Sequence, residues 1–196
     1  FERMKKDYVY QRAFTVTEAQ LAHAHVELVC EGLDTLAHVP LNGREIAFAD
    51  NMHITWVWDV KEQLHAGENT LEIRFDSPIL YCAKKAEEAP GWESSDATPG
   101  FRHLRKAHCM FGWDWGPRLP DAGIWRPIFL RTWDTARLEN ALMLQAHHDG
   151  VVDVTIRPEI AGESAWSAEI TAPDGEVLTL PETMAAEQVI AIQNPQ

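Results

Sequence analysis

Residues 70–76 read TLEIRFD, and their alternation decides the fold class. In a strand, successive side chains point to opposite faces, so Leu71, Ile73 and Phe75 would share one face while the two charged side chains between them share the other. A period of two with apolar side chains on one face predicts a half-buried β-strand. A helix would instead bring together apolar residues three and four positions apart.

Strand-like stretches recur on both sides of this segment. The dipeptide NG at 42–43 is typical of a hairpin, and PDG at 173–175 predicts a tight turn. Only residues 77–90, with a proline near each end, have the composition of a short helix, and residues 91–101 follow as an excursion rich in Gly, Pro and Ser. The predicted strands are residues 8–16, 25–33, 54–60, 70–76, 123–134, 151–160, 164–172 and 176–180.

Short strands at close spacing, with little helix between them, predict antiparallel β-sandwiches and an all-β fold class. We expect residues 1–133 to form one sandwich and residues 134–196 to form the start of a second. The charge changes at the same place. Residues 101–131 carry six Arg or Lys against two Asp, whereas residues 134–196 carry two Arg against eleven acidic residues. That shift supports a boundary near Trp133.

The composition is that of a globular protein, with 45% hydrophobic and 24% charged residues. The net charge of −13 disfavours nucleic acids and anionic membranes as partners. No apolar run approaches the roughly 20 residues that a membrane-spanning helix needs. We therefore expect neither a nucleic acid nor a membrane as a partner. The compartment stays open, with a slight preference for the cytoplasm.

Cysteine and histidine usage predicts no metal site and no cofactor. Cys30, Cys82 and Cys109 are widely spaced without a CxxC pair, which argues against a disulfide framework and against structural zinc. We expect reduced, partly buried thiols. His23 and His25 would share a strand face, but a metal site needs at least a third convergent ligand. The sequence also lacks a nucleophile motif, and we assign no catalytic residue within it.

The stretch MFGWDWGPR holds the strongest candidates for a binding site. Trp113 and Trp115 flank Asp114 between glycines and a proline, so the backbone there is a shaped loop of the kind that usually carries binding groups. An indole stacks on the C–H face of a sugar ring, and a carboxylate accepts hydrogen bonds from two adjacent hydroxyls. From the chemistry alone a second interpretation is equally open, in which Asp114 pairs with Arg105 or Arg118 to pin the loop.

The stretch from Arg105 to Pro127 joins RKA, FGWDWGP and GIWRP in an order and spacing that resemble the N-terminal region of the β-mannosidases of glycoside hydrolase family 2. The resemblance covers residues 1–133, and residues 134–196 resemble the family's following domain in strand pattern. It implies a jelly-roll (galactose-binding-like) β-sandwich without its opening segment, followed by part of an immunoglobulin-like β-sandwich. It also implies a catalytic (β/α)₈ barrel of the same polypeptide, outside this sequence.

The resemblance implies an activity for the whole enzyme and roles for five residues. Family members are retaining exo-hydrolases that release terminal β-linked mannose from β-mannosides or manno-oligosaccharides, with two barrel glutamates doing the chemistry. Carried over to this sequence, Trp113 and Asp114 line the subsite for the terminal mannose. Trp115 packs the loop, and Arg105 and Arg118 support it. Because both catalytic glutamates are absent, we expect this chain alone to be inactive.

Two other functions stay open. The chain could be an autonomous carbohydrate-binding module, or it could belong to a family 2 relative that acts on β-galactosides or β-glucuronides. Binding of manno-oligosaccharides by the isolated chain would favour the module, because the β-mannosidase hypothesis expects no binding without the barrel. The FGWDWGP motif favours the β-mannosidases over the other sugar classes. A purely structural spacer is disfavoured by the same loop.

Overall fold

The computed structural model describes residues 2–193 and divides into two compact units, Phe1–Thr132 and Trp133–Gln196. Strands dominate both units, which confirms the all-β fold class. The strands are β1 (Tyr8–Val16), β2 (His25–Cys30), β3 (Leu33–Asp34), β4 (Ala37–Leu41), β5 (Arg44–Ala49), β6 (Trp56–Asp59), β7 (Gly67–Phe75), β8 (Gly123–Ile124), β9 (Ile128–Trp133), β10 (Ala136–His148), β11 (Val151–Gly162), β12 (Trp166–Thr171), β13 (Val177–Thr183) and β14 (Gln188–Gln193). The helices are α1 (Glu18–Ala22) and α2 (Pro78–Glu88), with 3₁₀ turns at Glu2–Lys5, Lys61–Gln63, Phe101–His103 and His108–Phe111.

The first unit is built on two main sheets. One has the strand order β1-β7-β4-β5 and the other the order β6-β2-β9, while β3 and β8 form a separate short pair. Side chains from both main sheets meet in one buried apolar core, as the alternation of a sandwich requires. Its most enclosed members include Val26, Leu33, Val39, Val60, Ile73 and Phe75.

The alternation in residues 70–76 is confirmed. Ile73 and Phe75 are buried and Leu71 packs partly against the core, while the charged residues between them are half-buried. The strand begins earlier than predicted, at Gly67, because β7 pairs with β1 along its whole length from Tyr8↔Phe75 to Val16↔Gly67. Pairing with a neighbour, rather than local apolar pattern, therefore sets where β7 starts.

The turn and helix predictions agree with the structure. Asn42 and Gly43 adopt left-handed backbone angles, φ 51° and 78°, in the β4–β5 hairpin. Helix α2 begins after Ser77, whose Oγ accepts a hydrogen bond from the Leu80 amide at 3.2 Å. Helix α1 was not predicted, although Thr17 and Gln20 form the capping box that signals its start.

Several predicted strand boundaries were wrong. The predicted strand at 123–134 is broken into β8 and β9, and Pro127, which has no N–H for a ladder, lies in the break. The predicted strand at 54–60 shortens to Trp56–Asp59. Strands β4, β5, β10 and β14 were not among the predicted strands, although NG at 42–43 predicted the turn between β4 and β5. Pairing with distant segments, which a local apolar pattern does not show, decides these outcomes.

An open cleft of about 890 Å³ separates the two main sheets on one side of the first unit. Strand β1 is the edge of one sheet and β9 is the edge of the other, and both contribute to the lining. The apolar lining side chains include Phe14, Leu28, Leu71, Ile73, Ile128 and Leu130. The core of the first unit is therefore closed on one side and open on the other.

The second unit contains the sheet β10-β11-β14 and the hairpin β12-β13. Val152, Val154 and Ile156 alternate along β11 and are buried together with Leu180 of β13. Antiparallel strands that bury one face in this way are typical of a β-sandwich. No helix within residues 2–193 is long and apolar enough to cross a bilayer.

The three cysteines are free thiols. Cys30 and Cys82 are buried, and burial raises the pKa of each thiol to about 12, with a smaller contribution from Glu93 at Cys82. Cys109 is exposed. The buried pair therefore stays protonated at neutral pH and behaves as apolar packing.

Candidate functional site

A segment that we call the Trp–Asp loop, residues 107–120, carries the candidate binding residues at its tip. The Gly116 amide donates to the Trp113 carbonyl at 3.3 Å and closes a four-residue turn. Asp114 and Trp115 occupy the two central positions of that turn, and glycine is favoured at the fourth. The turn therefore presents the carboxylate at the outermost point of the loop.

Both indoles of the loop are exposed. Trp113 is 57% accessible and Trp115 is 80% accessible, and their ring centroids lie 5.2 Å apart with the planes tilted by 44°. Trp115 thus packs on Trp113 and not on the sandwich core. The two indoles therefore form an exposed aromatic patch at the tip of the loop.

The Asp114 carboxylate is exposed, and within residues 2–193 it makes neither an ion pair nor a hydrogen bond. Its two oxygens are thus free to accept hydrogen bonds from a ligand. Neither Arg105 nor Arg118, the two arginines considered as its partners, forms an ion pair with Asp114. The Arg105 guanidinium lies 3.9 Å from Asp50, and Arg118 donates to the Ser95 carbonyl at 2.8 Å.

The base of the Trp–Asp loop is tightly packed against the preceding excursion. Gly112 has φ 117°, and a Cβ at this position would lie 2.8 Å from the Asp96 carbonyl oxygen and 2.5 Å from Cγ of Arg118. Only glycine fits both the backbone angle and the space. Arg118 therefore contacts the excursion through the Ser95 carbonyl and lies against Gly112, and its role as a support of the loop stays a prediction.

Phe111 holds the inner side of the same loop. Its ring is fully buried in a second apolar cluster with Leu36, Leu104 and Cys82. Its carbonyl oxygen accepts hydrogen bonds from the amide and the hydroxyl of Thr98, at 3.1 Å and 3.3 Å. The loop is therefore anchored by the buried ring of Phe111, whereas the indoles of Trp113 and Trp115 that follow it face solvent.

Sequence reasoning missed the most enclosed charge near this site, Lys106. Its side chain is 0% accessible, and its ammonium group donates to the carboxylate of Asp34, which also accepts from the Thr35 hydroxyl. Oδ1 of Asp121, the residue that follows the loop in sequence, lies 3.6 Å from the Lys106 ammonium nitrogen. An isolated lysine in a sequence is expected on the surface, so the local pattern carries no signal for this cluster.

The acidic residues of the excursion do not form a second site. Glu93 accepts hydrogen bonds from the Gly100 amide and the Arg102 guanidinium, both at 2.5 Å, so it ties the excursion together. In the part of the chain described, no group of three or more His, Cys, Asp or Glu is arranged to hold a metal ion.

Comparison with known families identifies the first unit. The family model of the glycosyl hydrolase 2 galactose-binding domain-like fold matches residues 2–126, which is more than half of the chain. The chain belongs to glycoside hydrolase family 2. The matched range includes the sheet β1-β7-β4-β5, strands β6 and β2 of the other main sheet, and the Trp–Asp loop, and it ends just before β9.

Similar proteins carry the name β-mannosidase. The β-mannosidase of Bos taurus is 33% identical over 140 residues, which cover 67% of this chain and 16% of that protein. The β-mannosidase B of Aspergillus clavatus is 37% identical over 174 residues, which cover 85% of this chain and 20% of that protein. The resemblance to the N-terminal region of family 2 β-mannosidases is thus confirmed.

Solved structures agree with this family 2 assignment. The crystal structure of a β-D-mannosidase from Dictyoglomus thermophilum superposes with a TM-score of 0.82 and 32% identity, and covers 98% of this chain and 25% of that one. A β-glucuronidase from Lactobacillus rhamnosus, at 18% identity and a TM-score of 0.68, shares the fold alone. The chain spans between 16% and 25% of the length of its three β-mannosidase relatives.

Proposed function

We propose that this chain is the non-catalytic N-terminal part of a retaining exo-β-mannosidase, and that its Trp–Asp loop completes the subsite for the terminal mannose. The observation that carries the proposal is the Asp114 carboxylate, which is exposed and without a partner within residues 2–193, between two exposed indoles. Relatives at 33% and 37% identity named β-mannosidase indicate the sugar class.

The chemistry of the loop tip suits a sugar ring. The faces of Trp113 and Trp115 offer apolar area for the C–H side of a pyranose, and the Asp114 carboxylate offers two acceptors for neighbouring hydroxyls. Hydrogen bonds to an ionised acceptor are about twice as strong as neutral ones, so one carboxylate can orient the ring. Neutral aromatic surface beside an acid also disfavours a ligand that carries its own carboxylate, such as a glucuronide.

The catalytic groups of such an enzyme have to come from elsewhere in the longer protein. Retaining hydrolysis needs two carboxyl groups about 5–5.5 Å apart, one as nucleophile and one as acid and then base. The acids of the Trp–Asp loop and of the excursion before it are single or engaged in structural contacts, as Glu93 is with Arg102. We accordingly assign substrate binding, and no bond cleavage, to this chain.

The substitution Asp114→Ala in the full-length enzyme tests the subsite role. We expect kcat/KM for an aryl β-mannoside to fall by more than about tenfold, which corresponds to roughly 1.4 kcal/mol of transition-state stabilisation. The matched control is Asp149→Ala, which removes an exposed carboxylate in the second unit and should leave kcat/KM unchanged. Equal kcat/KM for wild type and Asp114→Ala would overturn the proposal.

Calorimetry separates the enzyme part from an autonomous carbohydrate-binding module. With the isolated chain, mannose and manno-oligosaccharides should give no heat of binding, because one loop supplies too few contacts to hold a sugar without the rest of the pocket. Millimolar or tighter binding by the isolated chain would favour the module instead.

We also propose that residues 1–133 form a sandwich whose open cleft is closed by an opening segment of the longer protein, and that residues 134–196 begin an immunoglobulin-like sandwich. Support comes from the apolar lining of the cleft and from the two free strand edges, β1 and β9. A longer chain that includes this segment should melt at a higher temperature, by about 4 °C for each 1 kcal/mol gained. An unchanged melting temperature would contradict it.

A further inference from the structure

We propose that Lys106 is a positioning residue, whose ammonium group clamps both ends of the Trp–Asp loop to strand β3 and so fixes where Asp114 meets the substrate. This inference rests on the proposed function for its substrate part. Its structural part stands on the contacts of Lys106 with the buried carboxylate of Asp34 and the exposed carboxylate of Asp121.

The clamp joins three parts of the chain that are distant in sequence. Lys106 immediately precedes the loop, Asp121 immediately follows it, and Asp34 ends strand β3. Strand β3 in turn pairs with β8, where Asp34 lies opposite Gly123. One ammonium group therefore holds the entry and the exit of the loop against the same short sheet.

The burial of the pair is what makes it a clamp. The Lys106 side chain is 0% accessible and the Asp34 side chain 6%, so water cannot replace either partner. A buried ion pair is weak as a source of stability, because a well-packed apolar pair would do as well or better. Removing only one partner, however, leaves a buried charge, so the geometry of the pair is strongly enforced. Such a pair therefore fixes the relative position of its two residues more than it adds to the free energy of unfolding.

The loop needs an anchor of this kind because little else holds its tip. From Trp113 to Leu119 every side chain is exposed, and the only glycine between them is Gly116. The root is fixed by Phe111 and by the Arg118 contact with Ser95. Within the loop the Leu119 amide donates to the Met110 carbonyl at 3.0 Å, and Lys106 adds the side-chain contact that joins the residues just before and just after the loop to strand β3.

The test uses the full-length enzyme and the paired change Lys106→Met with Asp34→Asn, which removes both buried charges and leaves only the exposed Asp121 carboxylate without its partner. Trypsin cleavage after the exposed Arg118, identified by mass spectrometry, should become at least about fivefold faster because the loop opens more often. The matched control is Arg131→Met with Glu27→Gln, which removes a half-buried pair between β9 and β2 whose Nε–Oε2 distance is 2.8 Å. The control should not change cleavage after Arg118.

Activity measurements decide whether the clamp acts through Asp114. The paired change should lower kcat/KM for an aryl β-mannoside by about fivefold or more in the wild-type background, and by less than about twofold when Asp114→Ala is already present. An equal loss in both backgrounds would show that Lys106 does not act through Asp114, and would overturn the inference. Unchanged cleavage after Arg118 would overturn it as well.

A second variant, Asp121→Ala, covers the case in which the paired change prevents folding. The Asp121 side chain is 71% accessible, so its removal leaves no buried charge without a partner within the cluster. We expect faster cleavage after Arg118 and a lower kcat/KM, each by less than with the paired change. If neither the cleavage rate nor kcat/KM changes, the clamp is contradicted. If Asp114→Ala alone leaves kcat/KM unchanged, the proposed function fails, and the cleavage rate still judges the clamp by itself.

Discussion

The sandwich framework of the first unit and the Trp–Asp loop are stabilised in different ways. In the framework, Phe75 and Ile73 are buried between sheets by strands that pair along their length. In the loop, Trp113 and Trp115 face solvent, and hydrogen bonds, one buried ring and one buried ion pair hold the root. Apolar burial supplies the stability, and polar anchors supply the orientation of the exposed groups. The buried core and the exposed aromatic and acidic side chains thus occupy separate parts of one domain.

The largest expected difference between the two regions is in the free energy of unfolding. Phe75→Ala should lower it by about 3–5 kcal/mol, because it empties a fully buried site at the C-terminal end of β7. Trp115→Ala, which removes a larger ring from an exposed position, should change it by less than about 0.5 kcal/mol. Urea denaturation of both variants measures the two changes in the free energy of unfolding. Similar losses for both would mean that the loop is part of the core.

Glycines within the loop give a second, smaller contrast. Gly112→Ala should lower the unfolding free energy by about 2 kcal/mol, since φ is 117° and the new Cβ would meet the Asp96 carbonyl oxygen. Gly116→Ala adds a Cβ whose nearest neighbour is 3.9 Å away, so it is the matched control with little effect. Chemical denaturation with far-UV dichroism compares them. A Gly116→Ala loss as large as that of Gly112→Ala would contradict the packing at the loop base.

The smallest effect is a difference in thiol reactivity that leaves stability untouched. At pH 8 one thiol per chain, Cys109, should react rapidly with a disulfide reagent, while Cys30 and Cys82 should react only on unfolding. Burial holds the pKa of these two thiols at about 12, above the ordinary thiol value of 9.0. The thiols ionise first in the unfolded chain, so their contribution to the free energy of unfolding is complete below pH 9 and is lost as pH rises toward 12. Cys109→Ser is the control that should abolish the rapid phase. More than one rapid thiol at pH 8 would contradict the burial of the other two.

Much of the framework could be predicted from the sequence, because strand period and turn chemistry are local. The alternation around Ile73 and the Asn42-Gly43 turn each depend on a few consecutive residues. Strand ends could not be predicted as well, and β7 begins at Gly67 because β1 is there to pair with it. Where pairing partners decide the outcome, a local pattern gives the element and not its limits.

The Trp–Asp loop likewise has features that could be predicted from the sequence and features that could not. Its shaped backbone and its binding chemistry could be predicted from the residues around Asp114, and the resemblance gave Trp113 and Asp114 a role that stays a prediction. Arg105 and Arg118 were expected as supports, and they contact Asp50 and Ser95. Lys106 carried no signal, because nothing local marks a lysine that will be buried.

The sequence by itself determined the all-β fold class, the hairpin turn and the aromatic–acidic character of the loop, since each is a property of neighbouring residues. Only the tertiary structure decided that the indoles face solvent, that Asp114 has no partner within residues 2–193, and that Lys106 meets a carboxylate 72 positions away. The physical reason is the range of the interactions. Side-chain period and turn angles act over a few residues, whereas burial and ion pairing depend on which distant segments the fold brings together.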